Sequence, residues 1–423
     1  MGSKNYYWTA MNRKIASDVI VLGGGPAGVA AAAAAASSGL RVTLIEKNSF
    51  LGGNATAAEV GTICGLYRYS KKQPPEYMAG RFAKNFAEAL KEESGTEPLY
   101  HSSGLHYLPY HIEVFKKRSM DLLRQSGVDI VFDAQLNGVK INQQEIESVG
   151  IEVNGESISL AVSTIIDCSG SSSLSQLAGL PLIKSDKYQA AAQVFSMEHI
   201  GQATEANLSL ILMKELRMAV IEKKLAPHFE RVVIVPGSLR DHGISLKIGI
   251  PITVTGSTEN LVELQKAAHV FVHALSEFLI SEVPIFKNAH LGHIAPQVGI
   301  RVGMRTVGKY ILTEEDVLQC AKFPDSIAKG SWPIEEWGQD RRMSMRYFAE
   351  EDHYQIPARC LISASMDNLF TAGRCISATD GAIASARVMG ICLQTGYAAG
   401  RLAASKVCHL PLERTVLEIQ EEY

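Results

Sequence analysis

Several features that would place a chain in a well-defined class are absent from this sequence. None of its seven cysteines forms a C-x-x-C pair, so we expect neither a zinc site nor a thioredoxin-like dithiol, and a reduced cytoplasmic protein is the simpler interpretation. The formal net charge is only −3 at pH 7, which gives no reason to expect nucleic acid or an anionic membrane as a partner. With 46% hydrophobic and 20% charged residues, the composition is globular.

Leader and membrane signals are equally weak. Met1 to Ser17 is polar and aromatic without an apolar h-region, so we expect no signal peptide. Val19 to Leu40 is almost uncharged and contains a run of alanines from Ala30 to Ala36, but alanine is only weakly hydrophobic. Because glycines and a proline also interrupt its start, we expect no membrane insertion.

The first positive signal is a glycine-rich turn between a strand and a helix. Asp18 to Leu22 has the apolar character of a buried parallel strand, and the G-x-G-x-x-G sequence of Gly23, Gly25 and Gly28 follows at once. In such a turn the first glycine permits the tight bend, the second lets the backbone approach a pyrophosphate, and the third lets the helix lie close to the sheet. The helix N-terminus then offers free N–H groups and a favourable dipole to the phosphates.

The residues that follow complete a dinucleotide-binding unit. We predict a helix from Pro26 to Ser38, ended by Gly39 in a left-handed conformation, and a second strand from Arg41 to Ile45. Glu46 follows that strand, where a carboxylate can accept hydrogen bonds from ribose hydroxyls. A glycine-rich packing turn and a surface acid are the alternatives, but the continuous order of strand, turn, helix, strand and acid favours a dinucleotide site.

A second run of small residues, Lys47 to Ala57, indicates FAD rather than NAD. It is longer than an ordinary connection between a strand and a helix, and small residues let backbone approach a bulky ligand. A flavin site needs such a loop along the ribityl chain, whereas an NAD site usually proceeds to its next helix. The alternative is a flexible surface loop.

Further along, the pattern predicts a helix, a strand and a β-meander. The helix covers His111 to Gln125 and the strand Val128 to Asp133. Asn154-Gly155 is a two-residue hairpin signal. The remaining predicted strands are Gly138 to Ile141, Ile146 to Val153, Ser157 to Val162, and a separate buried strand, Thr164 to Asp167, that leads into Cys168-Ser169-Gly170.

Near the C-terminus, the sequence predicts a strand and a helix. Asn368 to Arg374 is a predicted strand that enters a glycine turn. Asp380 to Leu402 is predicted as one helix, whose N-terminus could stabilise negative charge at the flavin N1/O2 edge.

At this point the chain resembles a family, the FAD-dependent oxidoreductases of the glutathione-reductase-like fold, in the FAD_oxidored branch. The stretches that carry the resemblance, beyond the generic N-terminal signature and Thr164 to Gly170, are Gly299 to Asp316, Phe323 to Pro333, Ile356 to Cys360 and Leu369 to Met389. The resemblance implies non-covalent FAD. Together with the motifs it gives these FAD-facing residues: Gly23, Gly25, Pro26, Ala27, Gly28, Glu46, Lys47, Gly52, Gly53, Asn54, Ala55, Leu136, Ser169, Gly170, Gly373, Arg374, Ser377, Asp380 and Ala382.

Two stretches depart from the pattern of the relatives. Where they usually read R-E-S-R-R, this chain has Arg301-Val302-Gly303-Met304-Arg305. Where they read S-A-T-H-E-A, it has Ser377-Ala378-Thr379-Asp380-Gly381-Ala382, with a carboxylate in place of the histidine. We therefore expect FAD binding to be shared, but not the catalytic mechanism.

The expected fold class is α/β: a Rossmann-like, glutathione-reductase-type FAD-binding domain with a β-meander and an inserted α+β substrate lobe. The FAD-binding domain would comprise residues 15–186 and 353–423, and the substrate lobe residues 187–352. In that lobe we predict strands at Ala190 to Met197, Arg231 to Val235 and Ile244 to Thr255, and a helix from Asn260 to Leu279. A second G-x-G-x-x-G is absent there, so we expect no dedicated NAD(P)H domain.

Candidate catalytic groups are Arg301, Arg305 and Tyr354. The two arginines could bind an anionic substrate or stabilise an enolate, or serve only as ion-pair partners. Tyr354, with the adjacent His353, could supply acid–base chemistry, or have a surface or capping role.

Other reactive residue types point to structural roles. His290 and His293 are three apart without a nearby acidic cluster, so we expect no metal site. Cys64 stands alone near the expected flavin, whereas a disulfide reductase needs two cysteines, so we interpret it as a packing residue.

The leading hypothesis is an FAD-dependent oxidoreductase that passes a hydride between a small organic substrate and flavin N5. One alternative is a flavin-dependent monooxygenase that uses NAD(P)H and O₂. Another is a non-catalytic FAD-binding assembly protein, although the lack of basic patches argues against an RNA partner. An oligomer is possible.

Overall fold

The computed structural model describes residues 16–185, 188–338 and 342–423. The leader prediction therefore falls almost wholly outside the described residues, as does the expected domain boundary between residues 186 and 187. Among the described helices, none has the length and apolar character needed to cross a bilayer.

The strands are numbered in chain order. They are β1 (Ala16–Leu22), β2 (Val42–Ile45), β3 (Thr62–Cys64), β4 (Leu99–His101), β5 (Leu105–Pro109), β6 (Asp129–Val131), β7 (Ala134–Asn142), β8 (Glu145–Val153), β9 (Glu156–Asp167), β10 (Leu182–Ile183), β11 (Ala192–Glu198), β12 (Val232–Ile234), β13 (Ile244–Gly249), β14 (His290–Ile294), β15 (Arg305–Thr306), β16 (Ser326–Gly330), β17 (Ile334–Trp337), β18 (Met343–Arg346), β19 (Tyr354–Pro357) and β20 (Leu369–Thr371).

The α-helices are numbered in the same way. They are α1 (Pro26–Ala36), α2 (Asn54–Ala57), α3 (Arg81–Ser94), α4 (Ile112–Gln125), α5 (Ser173–Leu177), α6 (Glu205–Ile221), α7 (Thr258–Glu282), α8 (Glu314–Leu318), α9 (Asp380–Ala386), α10 (Met389–Val407) and α11 (Leu412–Gln420). Short 3₁₀ turns occupy Pro227–Glu230, Pro284–Phe286, Ala358–Cys360 and Gly373–Cys375.

A Rossmann-like parallel sheet forms the centre of the fold. Strands β6, β2, β1 and β9 lie side by side in that order, and β20 pairs in parallel with the last part of β9. The carboxyl ends of β2, β1, β9 and β20 therefore meet at one edge of the sheet, which is where open α/β sheets bind their ligands.

One long strand serves both the parallel sheet and the meander. We predicted separate strands at Ser157 to Val162 and Thr164 to Asp167, but this was wrong: β9 is continuous, pairing first with β8 and then with β20. Asn368, which precedes β20, links β8 and β9. Its side-chain amide donates to the carbonyls of Ile146 in β8 and Ser163 in β9, at 2.9 and 3.0 Å.

Turn chemistry was predicted correctly, but one helix was not. Asn154 has a φ of 52°, as its hairpin signal requires, and Gly39 has a φ of 78° after α1. The single helix predicted from Asp380 to Leu402 is instead α9 and α10, because Val388 between them is extended, with a ψ of 151°. The Ile356 to Cys360 stretch, which carries part of the family resemblance, begins in β19 and continues in a 3₁₀ turn.

Helix α1 is rich in alanine because neighbouring elements pack closely against it. Its residues from Ala27 to Ala35 are all buried. On one side α10 lies so close that a Cβ on Gly396 would be 2.2 Å from the carbonyl oxygen of Ala27, and one on Gly400 would be 2.3 Å from that of Ala31. Small residues on both helices thus bring the two backbones into contact.

A second hydrophobic core lies around another sheet. Strands β12, β13, β11 and β14 form an antiparallel sheet in that order, and the buried faces of α6 and α7 contribute to its core. The buried side chains between Val302 and Ile362 pack into the main core instead. The substrate-lobe boundary at residue 352 stays a prediction.

We predict that Gly396→Val destabilises the protein by about 3 kcal/mol, because the added side chain must push α10 away from the Ala27 carbonyl. Denaturant unfolding of the FAD-free protein measures the change. Lys406→Val is the matched control, since it places the same residue on the same helix at a site only half buried. Equal unfolding free energies for the two variants would contradict the close contact between the helices.

Candidate functional site

A cavity of about 1030 Å³ opens at the carboxyl edge of the parallel sheet and extends to the second sheet. Most of the expected FAD-facing residues line it: Gly23, Gly25, Pro26, Ala27, Glu46, Lys47, Gly53, Asn54, Ala55, Leu136, Ser169, Gly170, Gly373 and Arg374. The other expected residues, Gly28, Gly52, Ser377, Asp380 and Ala382, do not line it.

The three motif glycines have three different surroundings. Gly23 has a φ of 91°, and a Cβ there would lie 2.7 Å from the carbonyl oxygen of Cys168 at the end of β9. A Cβ on Gly28 would lie 1.7 Å from the carbonyl oxygen of Gly23, so the turn can form only with glycine at this position. By contrast, a Cβ on Gly25 would meet only the Cα of Gly53, at 3.8 Å, so the backbone of Gly25 is open to the cavity.

The N-terminus of α1 faces this open space. Its N-cap, Gly25, has no side chain to satisfy the first turn. The N–H groups of Gly25, Ala27 and Gly28 donate to none of the residues that the structure describes. Free donors at a positive helix end suit an anion such as a pyrophosphate.

The second small-residue loop is folded against the first turn. The Gly52 N–H donates to the Gly24 carbonyl at 2.8 Å, and Leu51 is buried at 1% exposure. Gly53 packs on Gly25, where a Cβ would come 3.0 Å from the Gly25 Cα. The loop is therefore part of the cavity wall, in contrast to the alternative of a flexible surface loop.

Glu46 is buried at the end of β2. Its Oε2 accepts from the Gly24 N–H at 2.6 Å, and its Oε1 accepts from the backbone and side-chain N–H groups of Asn48 at 2.9 and 2.8 Å. The carboxylate thus braces the glycine turn. Because each oxygen can accept more than one hydrogen bond, the expected ribose contact stays a prediction.

The end of β9 is fastened by a buried acid. Asp167 accepts from the N–H and hydroxyl of Ser169 at 3.0 and 2.6 Å and from the Leu174 N–H at 3.0 Å. Burial raises the pKa of this carboxyl, and these hydrogen bonds oppose the increase. Arg374 lies directly over Gly170, where a Cβ would be 2.3 Å from Nη2 and would displace the guanidinium, and the φ of 82° at this position also favours glycine.

The far end of the cavity contains a group that we name the cation cluster, Lys247, Arg301 and Arg387. Two tryptophans and one acid accompany it. The carboxylate of Glu335 accepts from the indole N–H of Trp332 at 2.9 Å and from that of Trp337 at 2.6 Å.

Burial lowers the pKa of all three members of the cation cluster. The pKa of Lys247 falls to about 8, chiefly because of burial and then because of Arg301. Burial and Arg387 lower the pKa of Arg301 to about 10. The pKa of Glu335 is raised by burial but lowered further by Arg387, the two indoles and Arg301, so the acid stays ionised.

Two of the three catalytic candidates lie away from the cavity. Arg305 is fully buried and forms an ion pair with Asp380 at 2.5 Å. It also donates to the Ala378 carbonyl at 2.8 Å. Arg305 matches the last arginine of the family pattern, and it holds Asp380, which departs from that pattern, in this ion pair.

Tyr354 is also fully buried, and its hydroxyl shares a hydrogen bond of 2.7 Å with Ser385. Burial raises its pKa well above the ordinary value. Its neighbour His353 is half buried, and burial with Lys322 lowers its pKa to about 4. Neither side chain lines the cavity.

The remaining residues considered in the sequence are the histidines and Cys64. His293 Nε2 lies 2.8 Å from the Glu59 carboxylate. Among the described residues, no group of three or more His, Cys, Asp or Glu could hold a metal ion. Cys64 lines the cavity, and burial raises its thiol pKa.

Sequence reasoning missed Lys247, Trp332, Glu335, Trp337 and Arg387. They come from β13, from the segment that includes β17, and from the break between α9 and α10. No spacing joins them, since they meet only in the folded chain. The one local signal is the pair of tryptophans that flanks Glu335.

A family profile described as "FAD dependent oxidoreductase" matches residues 18–412. The chain belongs to this family. It is therefore an enzyme that uses FAD. Among curated proteins, none matches the chain.

Many solved structures share parts of the fold at low identity. A geranylgeranyl bacteriochlorophyll reductase-like protein from Thermoplasma acidophilum is 15% identical, with 96% of this chain and 82% of that chain covered and a TM-score of 0.47. A flavoprotein/dehydrogenase from Cytophaga hutchinsonii is 14% identical, with 96% and 82% covered and a TM-score of 0.46. The anhydrotetracycline hydroxylase from Streptomyces rimosus is 9% identical, with 96% and 66% covered and a TM-score of 0.48. TM-scores this low give no basis for assigning a reaction.

The cavity fits FAD. The open backbone at Gly25 and the unsatisfied N–H groups of α1 suit its pyrophosphate. Glu46, which follows β2, and Leu136, near the start of β7, also line the cavity. The loop that contains Gly53, and the Gly373 turn, leave room for the rest of the cofactor.

We predict that Gly25→Ala weakens FAD binding about 10-fold or more, because its methyl group would stand where the phosphates must approach the backbone. The extended conformation of Gly25, with a φ of −71°, suits alanine. The unfolding free energy of the FAD-free protein should therefore change by no more than about 0.5 kcal/mol. Fluorescence titration of that protein with FAD measures the affinity.

Gly28→Ala provides the contrast, because its methyl group would collide with the Gly23 carbonyl and lower the stability of the FAD-free protein itself. A Gly25→Ala variant that binds FAD as tightly as the parent would show that the phosphates lie elsewhere.

Proposed function

We propose that this enzyme transfers a hydride between a small organic substrate and FAD. One observation carries the proposal: a single cavity joins the phosphate-binding turn at Gly25 to a chamber lined by tryptophans and the cation cluster. The nucleotide end is built from backbone and small residues, and the far end from large side chains. This division suits a cofactor and a substrate that share one space.

The FAD-facing residues expected from the sequence are proposed to hold the cofactor where they line the cavity. When bound, FAD supplies a hydride acceptor or donor at its isoalloxazine. The protein's part is to orient the substrate and exclude water. Trp332 and Trp337 provide apolar walls, and the indole N–H groups fix Glu335 between them.

Of the proposed catalytic residues, Arg301 is the one that reaches the cavity, and we assign it to substrate binding. Its guanidinium lies over the Trp337 ring, with Cζ 4.6 Å from the ring centroid, and it donates to the Ala190 carbonyl. Arg305 and Tyr354 would act through their neighbours, since both are buried behind the wall. For Arg305 this means holding the start of α9 through Asp380.

The domain organisation supports the same proposal. Residues 15–186 and 353–423 would form a glutathione-reductase-type FAD-binding domain, as suggested by the β7–β8–β9 meander joined to the parallel sheet. Residues 187–352 would supply the substrate wall through β11, β13 and the segment around Trp337. A small molecule is the proposed partner.

Anaerobic reduction of the purified FAD-bound protein tests the reaction. We predict that one class among alcohols, amines and 2-hydroxy acids bleaches the visible flavin band. Bleaching should slow when the transferred hydrogen of that donor is replaced by deuterium, because cleavage of the C–H bond then limits the rate. Stopped-flow absorbance measures both effects.

The two alternative functions predict different results in the same reduction experiment. A monooxygenase would be bleached by NADPH and would then consume O₂ in proportion to substrate. An assembly protein would keep its flavin oxidised with every donor, and that outcome would rule out the proposed reaction.

A further inference from the structure

The cation cluster is unusual because none of its members forms an ion pair within the described residues. Arg387 Nη2 donates to the Gln189 side-chain oxygen and to the Glu335 backbone carbonyl, both at 3.1 Å. Its Nε is buried without a hydrogen-bond partner among the described residues. Arg301 donates to a backbone carbonyl, and Lys247 Nζ donates to no described residue.

The nearby acid does not neutralise the cluster. Both carboxylate oxygens of Glu335 are taken by the indole N–H groups of Trp332 and Trp337. Three cations and one carboxylate leave an excess of positive charge on side chains that are half buried in the wall of the cavity. Buried charges are expensive unless they are paired, so a site of this kind is completed by an anion from outside the chain.

Trp337 holds two of the cations in place. The Arg301 Cζ lies 4.6 Å and the Lys247 Nζ lies 5.3 Å from its ring centroid. Stacking on an indole orients a guanidinium without using its outer N–H donors. Nη1 of Arg301 also donates to the Ala190 carbonyl, and its other outer N–H donors remain available for a carboxylate.

The cluster can be reached without passing the phosphate-binding turn. A second cavity of about 500 Å³ shares Lys247, Arg301 and Trp337 with the first. Its wall includes Met213 and Val233, whose side chains are exposed, so it opens to solvent. A small molecule therefore has a route to the cluster while the nucleotide end of the main cavity is filled.

We infer that the substrate is an organic acid whose carboxylate binds the cation cluster and whose apolar part lies against Trp332 and Trp337. This inference rests on the proposed function and names its substrate class. Phosphate of the cofactor has donors of its own, the free N–H groups at the N-terminus of α1, so we assign the cluster to the substrate. Reduced flavin is the competing anion, and the experiment separates it from the substrate.

The experiment is calorimetric titration of the oxidised FAD-bound protein with matched acids and amides: acetate and acetamide, benzoate and benzamide, indole-3-acetate and indole-3-acetamide. At least one acid should bind about 10-fold or more tightly than its amide, since each pair differs mainly in charge. Lys247→Met and Arg301→Lys should each reduce that preference. Lys309→Met is the control, because it removes an exposed cation outside the cavity.

The pH dependence gives a second measurement. The charged groups that face Lys247 are Arg301, Arg387 and Glu335, with the Cys64 thiol nearby. Lys247 carries its charge below its pKa of about 8 and loses it above, so the preference for the acid should fall as pH rises through that value. The Lys247→Met variant should lack this step.

Equal affinities for acid and amide in all three pairs would overturn the inference. So would an unchanged preference in both variants, with folding verified by circular dichroism. If the cluster served reduced flavin instead, Lys247→Met would lower the flavin reduction potential without any acid preference in the parent. Because binding is measured without turnover, failure of the redox reaction would leave this result intact, and the reverse also holds.

Discussion

The contact between the backbones of α1 and α10 is the constraint on which the rest of the site depends. Only glycine at Gly396 and Gly400 lets α10 approach the carbonyls of Ala27 and Ala31. That approach fixes α1 between α10 and the sheet, and so fixes where the free N–H groups at its N-terminus point. It also brings the start of α10 against the cavity, where Arg387 and Met389 form part of the wall. Packing and ligand binding are thus two consequences of the same small side chains.

The sequence revealed those parts of the fold whose cause is local. The glycine turn and the Asn154-Gly155 hairpin each depend on neighbours within a few residues, and both form as predicted. Val388 shows the limit, because the break between α9 and α10 comes from packing against distant segments, with Gly390 pressed on the backbone of Gly65. The cation cluster was invisible for the same reason: Lys247 and Arg387 meet only after the second sheet has been brought to the first.

The Arg305–Asp380 pair shows how a departure from a family pattern can be accommodated. Asp380 begins α9, where a carboxylate is favoured by the helix dipole. Its partner is held by the Ala378 carbonyl and the Ser185 hydroxyl, so the guanidinium is fixed from three sides. Because one buried partner of such a pair is costly without the other, Arg305 and Asp380 are best understood as a single structural unit.

The two ends of the cavity attract anions by different physical means. At α1 the positive potential comes from peptide dipoles, which carry no titratable proton and need no counter-charge. At the far end it comes from Lys247, Arg301 and Arg387, whose charges are maintained against burial and against one another. A dipole site suits a permanently bound nucleotide, because it does not depend on pH. Unpaired cations are stabilised only while an anionic ligand is bound to them. Such a group of cations therefore suits a ligand that binds and dissociates.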